Sequence, residues 1–120
     1  MRWSCMRREE LYLTDIVEAA DSIQAFLEGI DRPRFEGDDQ LRSAVLLKLI
    51  VIGEAASRLP RQFTAQHPDV EWADIVGFRN IAVHAYFSVD WSLVWAAATI
   101  DAPELQLRIR RLLAEQSGRG

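Results

Sequence analysis

Cysteine is all but missing from this chain: Cys5 stands alone in 120 residues, which excludes an internal disulfide and a metal cage built on paired thiolates. Histidine is nearly as scarce. His67 and His84 lie far apart, and no carboxylate stands at a ligand-like spacing from His84, so no metal site is expected. Long apolar runs are lacking too. The longest, "AVLLKLIVIGEAA", is interrupted by Lys48 and Glu54 and falls short of the roughly 20 residues that span a bilayer. No glycine-rich phosphate loop occurs, which excludes a Walker or dinucleotide-binding motif, and Ser57 and Ser88 have no neighbouring base to build a hydrolase triad. A dominant basic surface is also absent. At a net charge of −4 and a pI of about 5.1, the chain is a poor clamp for long duplex nucleic acid, so any nucleic-acid contact has to be local.

What is present is ordinary globular composition, 49% hydrophobic and 27% charged, in a length that suits one domain with a real core. The first residues, Met1-Arg2-Trp3-Ser4-Cys5, lead into Arg7, Arg8, Glu9 and Glu10 rather than an apolar stretch, so no secretory signal is read there and a cytoplasmic location is expected. Tyr12, Ile16, Ala19, Ile23, Phe26 and Ile30 keep a three-four spacing, which predicts an amphipathic helix over 8–30, stopped by Gly29 and Asp31-Arg32-Pro33. Asp38 and Asp39 can cap a second helix, apolar on more than one side as far as Pro60 and therefore central in a bundle. Gly53 inside it costs about 1 kcal/mol relative to alanine, so a neighbouring helix is expected to come close there.

Residues 61–70 read as irregular, with Phe63 as an anchor and His67 in a surface turn. Glu71 and Asp74 suit the first turn of a third helix, buried through Ile75, Phe78, Ala82 and Ala85. Ser88 and Asp90 offer caps for a further helix through Ile100, and Pro103 is expected to break or kink it ahead of Leu105, Ile109, Leu112 and Leu113. The basic clusters Arg7-Arg8 and Arg108-Arg110-Arg111 read as solvated helix faces. No segment alternates as a strand. The expectation is an all-α, up-down bundle of four to five helices over residues 8–115, with residues 1–7 as an N-terminal extension and 116–120 as a flexible tail.

The third helix carries "FRNIAVHAYF", in which Arg79, Asn80, His84 and Tyr86 gather within an apolar segment. At about 100° per residue, Arg79 and Tyr86 share a face, while Asn80 and His84 stack on a neighbouring one. Arg79 and His84 are therefore not on one line, and they converge on a ligand only if the helix end loosens or a second chain closes the site. Taken singly, Arg79 reads as the partner of a carboxylate such as Glu54, His84 as a satisfied histidine near the core, and Tyr86 as a packed ring. Taken together they cost several kcal/mol to bury without partners, which argues for a purpose. An arginine that grips a phosphate bidentately beside a histidine, a side chain that titrates near neutral pH, suits phosphodiester cleavage. In RNA the 2′-hydroxyl supplies the nucleophile, so neither a metal nor a protein nucleophile is needed.

Arg79, four residues, His84, one residue and Tyr86 together resemble the signature of HEPN-domain ribonucleases of the HepT-like toxin group. "LYLTDIVEAADSI", "IGEAASRLP", "HPDVEWADIVGFRNIAVHAYFSVDWSLVW" and "DAPEL" are similar to stretches of the same family, so that the resemblance covers roughly residues 8 to 115. It implies a homodimeric helical bundle with a metal-independent RNase cleft between the two motif helices. Arg79 and His84 are then the catalytic pair, and Asn80 is the polar residue that orients His84 or the phosphate. Tyr86 would be the acceptor of adenylyl groups from a minimal nucleotidyltransferase antitoxin, as in a type VII-like toxin-antitoxin pair. Glu54, within "IGEAA", would be a second-layer partner of Arg79 or an ordinary interhelix ion pair. Ala85 stands where the family often has glycine, which would stiffen that helix end. The alternative implied by the same family is a non-catalytic HEPN module that binds a nucleotide or docks a nucleotidyltransferase.

Overall fold

The apolar rhythm near the N-terminus folds as α1, Arg8–Leu27, and Gly29 at φ 73° ends it in the left-handed region that glycine enters without steric cost. The computed structural model describes residues 8–88 and 90–118, without the side chains of Ala85, Tyr86, Ser88, Ser117 and Gly118. The expectation of an N-terminal extension at 1–7 lies outside the described residues. The stripe of α1 is wider than its spacing suggested. Ile16, Ala19 and Ile23 are buried as expected, but Leu13, Val17, Ala20 and Leu27 are buried beside them and Phe26 is left 37% exposed. The cause is that α1 packs on two rods at once, α3 and α7.

Asp31-Arg32-Pro33 ends one helix and also begins another. The Asp31 carboxylate accepts from the Arg34 backbone N–H at 3.0 Å, and Pro33 sits in the first turn, where its missing N–H costs nothing, so Arg32–Glu36 forms the short α2. That turn drives Phe35 into complete burial against Trp95 and Trp91, with ring centroids 5.3 and 6.3 Å away. Arg42 lies over the Trp91 ring, its guanidinium 4.6 Å from the centroid.

Asp38 caps α3, Asp39–Ser57, through its carboxylate and the Leu41 N–H. This rod is buried on two faces, toward α1 and toward α5, as its wide apolar surface predicts. Residues 61–70 are more regular than their composition suggested: Arg61–Ala65 forms α4, since Pro60 supplies an extended φ of −60° and a carbonyl that accepts from both Phe63 and Thr64. Phe63 is buried and stacks on His67, and Trp72 donates its indole N–H to the His67 carbonyl at 3.0 Å. That loop is thereby pinned beneath α5, Trp72–Ser88.

Ser88 lies inside α5 rather than capping the next helix. Asp90 does hold the N-cap position of α6, Trp91–Ala96, but its carboxylate accepts from the Ser92 hydroxyl at 2.6 Å and not from a backbone N–H. The break or kink expected at Pro103 takes the form of a change of helix type just ahead of it. A π-helical turn, Ala97–Asp101, joins α6 to α7, Ala102–Gly118, and gives the proline ring room against the preceding turn. The helix continues through most of the stretch read as a tail, and Gln116 is buried. Asp21 of α1 receives hydrogen bonds from Gln106 and, at 2.8 Å, from Arg110, which ties the first and last rods together and accounts for part of the basic cluster.

Among the described residues every element is helical, so the molecule is an all-α bundle, 48 × 25 × 25 Å, built from the rods α1, α3, α5 and α6–α7. No helix among them is long and apolar enough to cross a membrane. One seam is incomplete. α1 packs on α3 and α7, and α3 packs on α5, whereas the backbones of α5 and α7 seldom come close.

Candidate functional site

The position of α5 is set by a glycine. A Cβ placed on Gly53 of α3 would stand 2.8 Å from the Arg79 backbone nitrogen, so only glycine lets the two rods come this close. Phe78 and Ala82 face the core from α5, and Arg79 is carried past the edge of α3. There its Nη1 donates to Glu54 Oε1 at 2.5 Å, an interhelix ion pair with the two side chains 38% and 40% exposed. Arg58, one turn beyond Glu54, lies 3.9 Å from the other carboxylate oxygen.

Glu54 is held below the usual carboxylate range. The Arg79 hydrogen bond is the main cause; partial desolvation opposes it, and the charges of Arg79 and Arg58 add to it. One bond to Glu54 uses one of a guanidinium's five donors, so Arg79 keeps the geometry for a bidentate grip on a further anion. The carboxylate fixes the direction in which the guanidinium points.

Asn80 and His84 are exposed on the same helix, so α5 presents three of the four predicted polar groups where solvent reaches them. The side chain of Tyr86 lies outside the described residues. Along α5 Arg79 and His84 are separated by five positions, roughly 7.5 Å of rise and 140° of rotation. The ion pair with Glu54 is the one contact that the sequence named in advance.

Two neighbours went unnoticed. Val83 and Phe87 continue from Arg79 at i+4 and i+8, and they are 46% and 81% exposed, an apolar ridge beside the polar groups. The spacing was visible in "FRNIAVHAYF"; which face of it would remain uncovered was not. Leu47 is similarly exposed on α3.

A cleft lies on another face of α5. It has a volume of about 430 Å³ and follows the open seam between α5 and α7, away from Arg79. Among the described residues, no group of three or more His, Cys, Asp or Glu side chains could hold a metal ion.

A helical bundle whose third long rod carries Arg, four residues and His has the arrangement expected of a HEPN module, and the Glu54 ion pair orients its arginine. The family model described as Ribonuclease HepT-like matches residues 16–112, and the chain belongs to that family. Its relatives include a Methanocaldococcus jannaschii protein named "Putative RNase MJ1380", 34% identical over 103 residues, which is 86% of this chain and 94% of that one. A Thermococcus cleftensis protein named "Probable ribonuclease HepT" is 34% identical over 106 residues, covering 88% and 96% of the two chains. A Caldanaerobacter subterraneus protein named "Putative RNase TTE0752" is 30% identical over 111 residues, covering 92% and 99%. No solved structure matches the chain.

Proposed function

We propose that this chain is a metal-independent RNA endonuclease that works in the cytoplasm as a homodimer, with Arg79, His84 and Asn80 as its catalytic groups. The observation that carries this reading is the oriented, half-exposed Arg79 on the helix that also presents Asn80 and His84, in a chain of the Ribonuclease HepT-like family. The exposed ridge of Val83 and Phe87 supports pairing of two α5 helices, because apolar side chains beside a polar cleft gain by burial against a second copy. Pairing also brings two histidines to one groove, which relieves the separation between Arg79 and His84 along a single helix.

In that groove the RNA 2′-oxygen attacks the adjacent phosphorus while one His84 accepts its proton. The bond from phosphorus to the 5′-oxygen breaks, and a second, protonated imidazole returns a proton to the leaving oxygen. The products are a 2′,3′-cyclic phosphate and a 5′-hydroxyl. Arg79 stabilises the charge on the phosphoryl oxygens, and Asn80 orients the imidazole or the phosphate. No step requires a metal.

The regulatory part of the proposal is that Tyr86 accepts adenylyl groups from ATP, transferred by a minimal nucleotidyltransferase that serves as antitoxin. The first transfer joins the tyrosine oxygen to the α-phosphorus of ATP as a phosphodiester and releases pyrophosphate, and a later one joins a ribose hydroxyl of the AMP already attached, again with release of pyrophosphate. The adduct adds negative charge and bulk where an RNA phosphate would bind. The second reading, a non-catalytic module that binds a nucleotide or docks a nucleotidyltransferase, draws support from the acidic net charge of −4.

The deciding experiment incubates purified wild type, Arg79→Ala and His84→Ala with RNA in the presence of EDTA. Cleavage by the wild type and a loss of about 100-fold or more in each variant are expected. Equal cleavage by all three, or none by the wild type on any RNA while it binds nucleotide tightly, would remove the nuclease reading in favour of the module. Addition of the nucleotidyltransferase and ATP should raise the mass of the wild type in adenylyl steps. The same mass gain on Tyr86→Phe would dismiss Tyr86 as the acceptor.

A further inference from the structure

The open seam between α5 and α7 has three properties that no contact within the chain explains. Its floor is apolar, formed by Val70, Ile75, Phe78 and Leu105, and its volume of about 430 Å³ falls within the roughly 300–1,000 Å³ of clefts that hold ligands. Its rim is anionic. Glu71 and Asp74 stand on the α5 side and Asp101 and Glu104 on the α7 side, against one cation, Arg108, which is already engaged by Glu104 at 3.1 Å and the Asp69 carbonyl at 2.8 Å.

The third property is Gly77. A glycine inside a helix is costly, and the two glycines inside the long rods differ in what accounts for them. Gly53 is required by the backbone of α5, whereas a Cβ on Gly77 would meet nothing within 4 Å. Gly77 faces the seam, with Ala73 one turn before it. A glycine that leaves the floor of a groove empty admits close approach by a backbone from outside the chain.

We propose that this seam is a docking groove for a cationic amphipathic helix of a partner protein, which would lay its apolar face over Gly77 and set lysines or arginines against the four rim carboxylates. A helix is the shape that completes a fourth seam between two antiparallel rods, and a positive one is what the rim selects. The carboxyls of Glu71 and Asp101 support the assignment. Glu71 is held above its ordinary value by its hydrogen bond and repulsion with Asp74, and Asp101 by burial and the charges of Glu104 and Asp74. Anions crowded in this way gain when a cation arrives. The groove is separate from Arg79, and this inference does not depend on the nuclease reading.

The test titrates the full chain into a fluorescein-labelled four-turn helical peptide with leucines on one face and lysines elsewhere, at low ionic strength, beside a control peptide with glutamates in place of the lysines. The lysine peptide should bind and the glutamate peptide should not. Gly77→Leu fills the floor without altering charge, and Asp74→Asn with Asp101→Asn lowers the rim charge without filling it; each should weaken binding by about tenfold or more. Asp15→Asn with Glu18→Gln, exposed carboxylates on α1, should leave it unchanged.

Circular dichroism checks that Gly77→Leu is folded; if it is not, the Asp74, Asp101 pair decides alone. Binding that is indifferent to the seam variants, or weakened as much by the α1 pair, would overturn the proposal, because it would report only attraction to an acidic surface. A concentration-dependent dimer by light scattering that Gly77→Leu abolishes would overturn it too, since the occupant would then be a second copy of this chain.

Discussion

Replacement of Gly53 by alanine tests the contact on which the position of Arg79 depends. The new methyl would stand 2.8 Å from the Arg79 nitrogen, 2.9 Å from the Arg79 Cβ and 3.1 Å from the Val76 carbonyl oxygen. Ordinary contact begins at 3.4 Å, so α5 has to retreat by 3.4 − 2.8 = 0.6 Å. None of the three atoms is the far end of a flexible side chain, so the rods themselves have to part. Overpacking of this kind costs roughly 1–3 kcal/mol, and the better helix propensity of alanine returns about 1 kcal/mol. The net is a loss of up to about 2 kcal/mol, which lowers the melting temperature of a chain this size by up to roughly 8 °C. Gly77→Ala is the matched comparison: the same chemical change in α5, with nothing within 4 Å of the new methyl, should gain about 0.5–1 kcal/mol. Thermal unfolding followed by circular dichroism, on both variants side by side, measures the difference. A Gly53→Ala protein that melts as high as Gly77→Ala would refute the close approach of α3 and α5. The same shift displaces Arg79, so RNA cleavage by Gly53→Ala should fall by roughly tenfold or more, while Gly77→Ala leaves it unchanged.

Three further outcomes follow from named contacts. Phe35→Ala empties a site closed by Trp91 and Trp95 and should cost about 3–5 kcal/mol, read as a lower urea midpoint with an unchanged slope. Glu54 has a folded-state pKa below its ordinary 4.5, so its contribution to stability is present above that value and is lost as pH falls through the lower one; Glu54→Gln should therefore differ from wild type most at neutral pH, and the gap should shrink on acidification. A gap that widens in acid would contradict this sign. Asp101 is the reverse case: its folded-state pKa is raised by burial and then by Glu104 and Asp74, so its charge opposes folding at neutral pH, and Asp101→Asn should raise the melting temperature there but not once the pH is below its ordinary value.

The rods were legible because their apolar spacing survives in the fold. Ile16, Ile23, Leu49, Ile52, Ile75 and Phe78 all face the core where their periodicity puts them. Gly53 was legible because its cost needed a reason, and the structure supplies one in the Arg79 backbone. Phe35 was not. Its helix is five residues long, held by the Asp31 cap and by two tryptophans more than fifty positions away, and no local period announces such a contact. The open seam was invisible for a related reason: Gly77 looks the same as Gly53 in sequence, and the two part company only when each is seen against its neighbours. At the site, the pairing of Arg79 with Glu54 could be named from charge and spacing, whereas the exposure of Val83 and Phe87 depends on which faces α3 and α6 leave uncovered.

The low pI argues against a polyanion substrate only while the charge is treated as uniform, and α5 divides it. On the α3 side, Arg79 and Arg58 face Glu54, two cations to one anion; in the seam, four carboxylates face Arg108. A single-stranded RNA that meets this molecule would find its positive ground at the Arg79 face and be turned away from the groove. With two cations engaged per chain, the dependence of log K on log salt has a slope of about −0.7 × 2, or about −1.4, which the proposed homodimer would double to about −3. Filter binding of a short RNA to His84→Ala, across a series of salt concentrations, reads that slope directly. A value several times steeper would mean that the phosphates are held by a wider basic surface than these two arginines provide, and the division of charge on α5 would not be what admits the substrate.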